Sequence, residues 1–242
     1  SPEPSKSFDQ IVSHAARYRN RTRGRFTVPM VLRMPYGAGI NAPEHHSESI
    51  EALYTHIPGL KVVVPSTPAD AKGLLISAIR DSDPVVYIEP KKIYRSVKGE
   101  IPEGDHTVPI GKARTVREGT DLTIVSWGAM VPVSEQAAKQ LESENVSAEL
   151  IDLRTLAPFD LDAVLTSVKK TGRLVVVHEA ARTGGLGADL SSLVSERLFE
   201  YLLAPVKRVT GFDVTPPYAK LEKYTLPTAK RVLRGIKETL NF

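Results

Sequence analysis

The stretch from Lys61 to Glu89 constrains the fold of this chain more than any other. Lys61 to Val64 is a short run of three valines behind a lysine, the pattern of a strand buried on both faces. Thr67-Pro68 follows, a helix start with proline in the first turn. Behind it Ala71, Leu74, Leu75, Ala78 and Ile79 recur at helical spacing and form a core-facing stripe. Pro84 to Glu89 then reads as a second strand. Buried strand, amphipathic helix and buried strand in succession predict an α/β fold with a parallel sheet covered on both faces.

The flanks extend the same alternation. Ser7 and Gln10 have capping-box spacing, and Phe8, Ile11, Val12, Ala15 and Ala16 give one apolar face, so the chain opens on a helix. Thr27 to Met34 reads as a buried strand, Pro35 to His45 as a loop with two glycines and two prolines, and Glu48 to Thr55 as a short helix. Lys91 to Pro109 changes character. It is charged, carries Gly99, Pro102, Gly104 and Pro109, lacks a helical period, and reads as an interdomain crossover. A second α/β unit follows. Its expected strands are Leu122 to Ser126, Ser147 to Leu153, Leu174 to His178 and Val206 to Thr210. Its expected helices are Val131 to Ser143, Leu161 to Lys169, Gly187 to Leu203 and Pro227 to Leu240.

Composition excludes several classes. Among 242 residues there is no cysteine, so disulfides, thiolate metal sites and cysteine nucleophiles are ruled out. Apolar runs are short, such as Leu174 to Val177, so no membrane span is expected. The first residues lack the apolar centre of a signal peptide, and the expected location is the cytoplasm. The net charge of +4 is mild. Arg17, Arg19, Arg21, Arg23 and Arg25 form the one dense basic run, read as a solvated face or a contact with an acidic partner rather than a nucleic-acid patch.

Gly37-Ala38-Gly39 is only a fragment of a dinucleotide-binding motif, but it follows a strand, and open α/β sheets bind ligands at the carboxyl ends of strands. The loop ends in Glu44-His45-His46-Ser47-Glu48. Adjacent histidines point apart and chelate poorly, so the alternatives are a proton donor at the sheet mouth and a surface or helix-cap role. His178 also ends a strand, before Arg182-Thr183-Gly184-Gly185, and reads as part of an interface loop rather than a catalyst. Asp81 and Asp83 follow a helix, where two carboxylates and free helix-end carbonyls could hold a hard cation; a solvated turn is the simpler reading.

Several strings together carry a family resemblance. They are Phe8-Asp9-Gln10-Ile11, Pro58 to Val63, Pro65 to Leu75, Ile151-Asp152-Leu153-Arg154-Thr155 and Lys170-Thr171-Gly172-Arg173. With them the chain resembles, from Phe8 almost to Phe242, the beta subunit of the thiamine-diphosphate-dependent decarboxylating component of 2-oxoacid dehydrogenase complexes. That family is transketolase-like. The resemblance implies two domains: an N-terminally incomplete pyrimidine-binding domain over residues 1–95, a linker over 96–109, and a transketolase C-terminal-like α/β domain over 110–242.

The resemblance also implies chemistry: oxidative decarboxylation of pyruvate or a branched-chain 2-oxoacid, with acyl transfer to lipoamide, in an alpha2-beta2 heterotetramer. Thiamine diphosphate would lie between alpha and beta chains, with the diphosphate and magnesium held by the alpha subunit's Gly-Asp-Gly motif; this sequence has no such string. The family's beta-chain histidine matches His46, implying a role in protonating and orienting groups during acyl transfer. A potassium loop matches Val28, Met30, Val31 and Ala78 with Asp81 and Asp83, although Val31 lacks the hydroxyl of some relatives. The C-terminal domain would dock the lipoyl acyltransferase core. Family members run further at the N-terminus, where they carry the glutamate that activates the cofactor, so the alternative expectation is a non-catalytic docking module of the same complex. Glu89 to Arg95 and His178-Glu179-Ala180 lean towards branched-chain relatives, and Pro43 to Ser49 towards bacterial pyruvate relatives.

Overall fold

A computed structural model describes residues 8–218 and 220–242. Two sheets lie in succession along the chain. The first has the order β1-β3-β2-β7 and the second β4-β6-β5-β8-β9. In the first, β1 is Val31–Tyr36, β2 Lys61–Val63, β3 Val85–Pro90 and β7 Thr155–Ala157. In the second, β4 is Arg114–Arg117, β5 Leu122–Ser126, β6 Ala148–Asp152, β8 Leu174–Val177 and β9 Lys207–Val209. The principal helices are α1 (Glu51–Thr55), α2 (Pro68–Arg80), α3 (Met130–Leu141), α4 (Leu161–Thr171), α5 (Leu186–Leu198) and α6 (Ala229–Leu240).

The βαβ unit forms as its residues dictate. The Thr67 hydroxyl caps α2 by accepting from the Asp70 amide at 3.1 Å, with Pro68 in the first turn. The stripe of α2 brings Leu74 and Ala78 against Val63, Val85 and Tyr87. β2 and β1 both run parallel to β3. In the second sheet alternate residues of a strand enter opposite cores: Leu122 and Ile124 meet α3 and α6, whereas Val125 faces the other way. That other core is continuous across the molecule, joining Val62, Val86 and Ile88 of the first sheet to Trp127, Leu153 and Val176 of the second half.

The structure departs from the sequence expectations at definite places. Each sheet ends in an antiparallel edge strand, β7 on β2 and β4 on β6, so neither is purely parallel. β7 comes from beyond the linker yet completes the first sheet. The first helix is wide: the Ala16 amide donates to the Ile11 carbonyl at 2.9 Å, five residues back. This brings Ile11 and Ala16 together on the buried side. Ser7, its expected cap, lies outside the described residues. The first strand begins at Val31 rather than Thr27, because Pro29 has no amide and the Met30 amide turns back to the Val28 carbonyl at 2.8 Å. Pro35, expected in a loop, sits within β1, where only β3 is a neighbour and a missing N–H breaks no ladder. Among the described residues no helix is long and apolar enough to cross a membrane.

Candidate active-site loop and its supports

β1 and β8 both deliver their carboxyl ends to the seam between the two halves. β1 ends at Tyr36, and the chain turns at once through Gly37 and Gly39, whose φ values of 84° and 94° lie where side chains with a Cβ are strained. The Gly37 amide donates to the Glu48 carbonyl at 2.9 Å, which closes residues 37–48 into a compact loop. Within it, Glu44–His46 makes a single tight turn, and the Ser47 hydroxyl donates to the Ala42 carbonyl at 3.2 Å. His46 stands exposed at the tip, its ring 4.0 Å from that of His45. Its carbonyl accepts from the Lys91 ammonium. Beside the loop lies a cavity of about 540 Å³ lined by Ser47, Glu48, Ser49, Glu179, Gly184 and Phe212.

β8 delivers His178 and Glu179. His178, expected in an interface loop, is fully buried and stacks on Trp127 with ring centroids 5.2 Å apart and planes 10° from parallel. Burial lowers its pKa to about 4, helped by Arg208 and Arg182, so it is neutral at neutral pH. Gly185 and Gly187, at the start of α5, leave room for the ring; a Cβ on either would lie 2.7 Å from it.

Four buried groups of this seam were not singled out as functional from sequence. Glu51 accepts from the Trp127 indole N–H at 3.2 Å, and burial raises its pKa to about 7, with Glu179 adding to the shift. Burial likewise raises the Glu179 carboxyl and lifts the Tyr36 phenol well above its ordinary range. Glu222 is buried against the loop. Of these only Glu179 carried a signal, its place beside a strand-ending histidine. Farther along the seam, Asp152 is buried, accepts from the Ser66 hydroxyl, and faces Arg114 at 3.3 Å; burial lifts it to about 6.

The expected potassium loop is brought together, but its charges are already matched. The Lys61 ammonium donates to both oxygens of Asp81 at 2.7 Å, and Arg19 donates to Asp83 at 2.5 Å. The carbonyls of Val28, Met30 and Ala78 accept from the amides of Met30, Val85 and Asp81, respectively. Val31 is the first residue of β1. The Asp81 and Asp83 side chains therefore fit the role of salt-bridge partners better than that of ion ligands. No group of three or more His, Asp or Glu side chains suited to a metal gathers among the described residues.

Comparison with known proteins agrees with this architecture. Residues 6–97 match the model of the transketolase pyrimidine binding domain, and residues 111–232 that of the transketolase C-terminal domain. A solved structure described as a split-gene transketolase, an inactive beta4 tetramer, superposes with a TM-score of 0.79 at 27% identity, covering 98% of this chain and 72% of that one. The fold class is thus transketolase-like. The pyruvate dehydrogenase E1 component subunit beta of Acholeplasma laidlawii is 53% identical over 96% of this chain and 71% of its own length. The corresponding subunit of Bacillus subtilis is 47% identical over 97% and 72%. The mitochondrial 2-oxoisovalerate dehydrogenase subunit beta of Dictyostelium discoideum is 49% identical over 97% and 64%. The chain belongs to the family of E1 beta subunits of the 2-oxoacid dehydrogenases.

Proposed function

We propose that the chain serves as the beta subunit in oxidative decarboxylation of a 2-oxoacid, pyruvate or a branched-chain relative, with transfer of the acyl group to a lipoyl group. The carrying observation is the loop of residues 37–48: it is pinned at a strand end, and it presents His46 outward to where another chain or a lipoyl arm can approach. An alpha subunit is the expected partner, in an alpha2-beta2 assembly, and the acyltransferase core is expected to dock on the half from residue 110 onward. The work is assigned to the cytoplasm.

Thiamine diphosphate supplies the carbanion chemistry in this reading. Its diphosphate and magnesium are assigned to the alpha subunit, to which the family resemblance gives the Gly-Asp-Gly motif. What this chain contributes in this reading is a solvent-accessible imidazole, His46, a side chain suited to acid-base help at the acceptor side of the site. Glu51 and Glu179 stay in the seam behind it.

The test is His46→Ala in the full-length protein assembled with its alpha partner. Lipoyl acylation is expected to fall about 100-fold, the scale of lost acid-base help, with binding of alpha unchanged. Wild-type acylation by that variant would remove His46 from the mechanism. Turnover by a sample free of alpha subunit would overturn the beta-subunit reading itself.

A further inference from the structure

The loop bearing His46 belongs to the first half of the sequence; Lys91, also of the first half, holds the His46 carbonyl, but two further groups that hold the loop belong to the second. Glu222 accepts from the Gly39 amide through one oxygen at 2.7 Å and from the Asn41 amide through the other at 2.8 Å. Glu179 Oε1 accepts from the Ala38 amide at 3.1 Å and from the Ser49 hydroxyl at 2.7 Å. Two buried carboxylates, 43 positions apart in sequence, thus grip the segment on both sides of His46. The grip is close: a Cβ on Gly37 would lie 2.3 Å from Glu179 Oε1. Burial excludes competing water from these bonds.

Resting on the proposed role of His46, we infer that Glu179 and Glu222 are positioning residues, which hold residues 38–49 from the second half of the chain and so set the place of the imidazole. Neither needs to touch a reacting atom. Their effect is on geometry, to which acyl transfer is steeply sensitive.

The chemistry of the two grips differs, and that gives the test. Glu222 uses both oxygens, so Glu222→Gln must turn an NH2 towards an amide N–H and lose one bond. Glu179 uses Oε1 alone, so Glu179→Gln can keep both bonds while Glu179→Ala keeps neither. In the full-length protein assembled with alpha subunit, Glu222→Gln and Glu179→Ala are expected to slow lipoyl acylation by about 10-fold. Glu179→Gln is expected to stay near wild type. In a His46→Ala background the same changes are expected to add nothing, because a misplaced alanine is no worse than a placed one. Additive losses in that background would overturn the inference in favour of a general structural role.

Hydrogen exchange supplies a readout independent of catalysis. Glu222→Gln should release the Gly39 or Asn41 amide, and Glu179→Ala the Ala38 amide, while the amides of β5 stay protected. Unchanged protection at all three amides would also overturn it. If His46→Ala alone proves fully active, the proposed function fails, and the exchange result still decides whether the grip exists.

Discussion

β5 and β1 are both strands of parallel-rich sheets, yet β5 buries all five of its residues while β1 leaves Arg33 and Pro35 in solvent. β5 lies at the centre of its sheet with a helical layer on each face. β1 lies at an edge, its Arg33 paired with Glu89 of the neighbouring β3 at 2.6 Å. The difference teaches where this molecule stores stability and where it keeps surface. The second half is closed by its own helices, and the first offers an edge and a loop to other surfaces.

The largest expected effect tests that contrast directly. Leu150→Ala in β6, fully buried, should cost about 2–5 kcal/mol, whereas Leu32→Ala in β1 should cost about 1 kcal/mol, because a half-buried leucine leaves less of a cavity. Urea denaturation of both variants measures it. Equal losses would mean that the first half is as tightly packed as the second.

The seam between the halves should show its own pH signature. The Glu51 carboxyl is raised in the folded state to about 7, so the folded protein holds a proton that the unfolded chain releases. Its effect on stability is absent well below pH 4.5 and grows unfavourable as pH rises to 7, reaching about 3 kcal/mol above that. Glu51→Gln keeps an acceptor for the Trp127 indole and should therefore raise the melting temperature at pH 8 but leave it nearly unchanged at pH 4.5. His178 acts in the other direction: its pKa is depressed to about 4, so the stability it permits is lost as pH falls from 6.5 towards 4. A Glu51→Gln variant with no pH-dependent gain would show that the seam admits water.

Smaller effects compare helix starts in the two halves. Thr67 caps α2 and Asp160 caps α4, each through its side chain. Replacement of either by Ala should cost about 1 kcal/mol, with Asp160→Ala the larger loss because Asp160 also accepts from the Ala113 amide at 3.2 Å. The smallest effect concerns the acidic turn. In the wild type the Lys61 ammonium serves Asp81, so potassium should raise melting little more than a choline salt. Lys61→Met should make the difference visible, through mass action on the folded state.

Much of this fold was written locally. The Thr67-Pro68 start, the α2 stripe and the strands at Lys61 and Leu122 needed only spacing and side-chain shape. β4 and β7 were not legible: Arg114-Thr115-Val116-Arg117 is mostly polar and shows no apolar run, and β7 gains its meaning only from β2, more than ninety residues earlier. Within the site, His46 was marked by its strand-end loop and by family resemblance. Glu222 was not, since nothing near Leu221-Glu222-Lys223 announces a carboxylate that will be buried against Gly39 and Asn41. Such residues acquire their place from long-range contact, which a one-dimensional pattern does not encode.

β7 has a consequence for anyone who would treat the two halves as interchangeable modules. Thr155 and Leu156 are buried as part of a sheet whose other strands all precede residue 91. A graft made at the charged crossover would carry that strand away with the wrong partner, leaving one recombinant half with a raw edge at β2 and the other with an orphaned apolar hook. Chimeras between relatives should therefore exchange residues 155–157 together with the first sheet, and the natural unit of inheritance here is a pair of halves that have already been laced together.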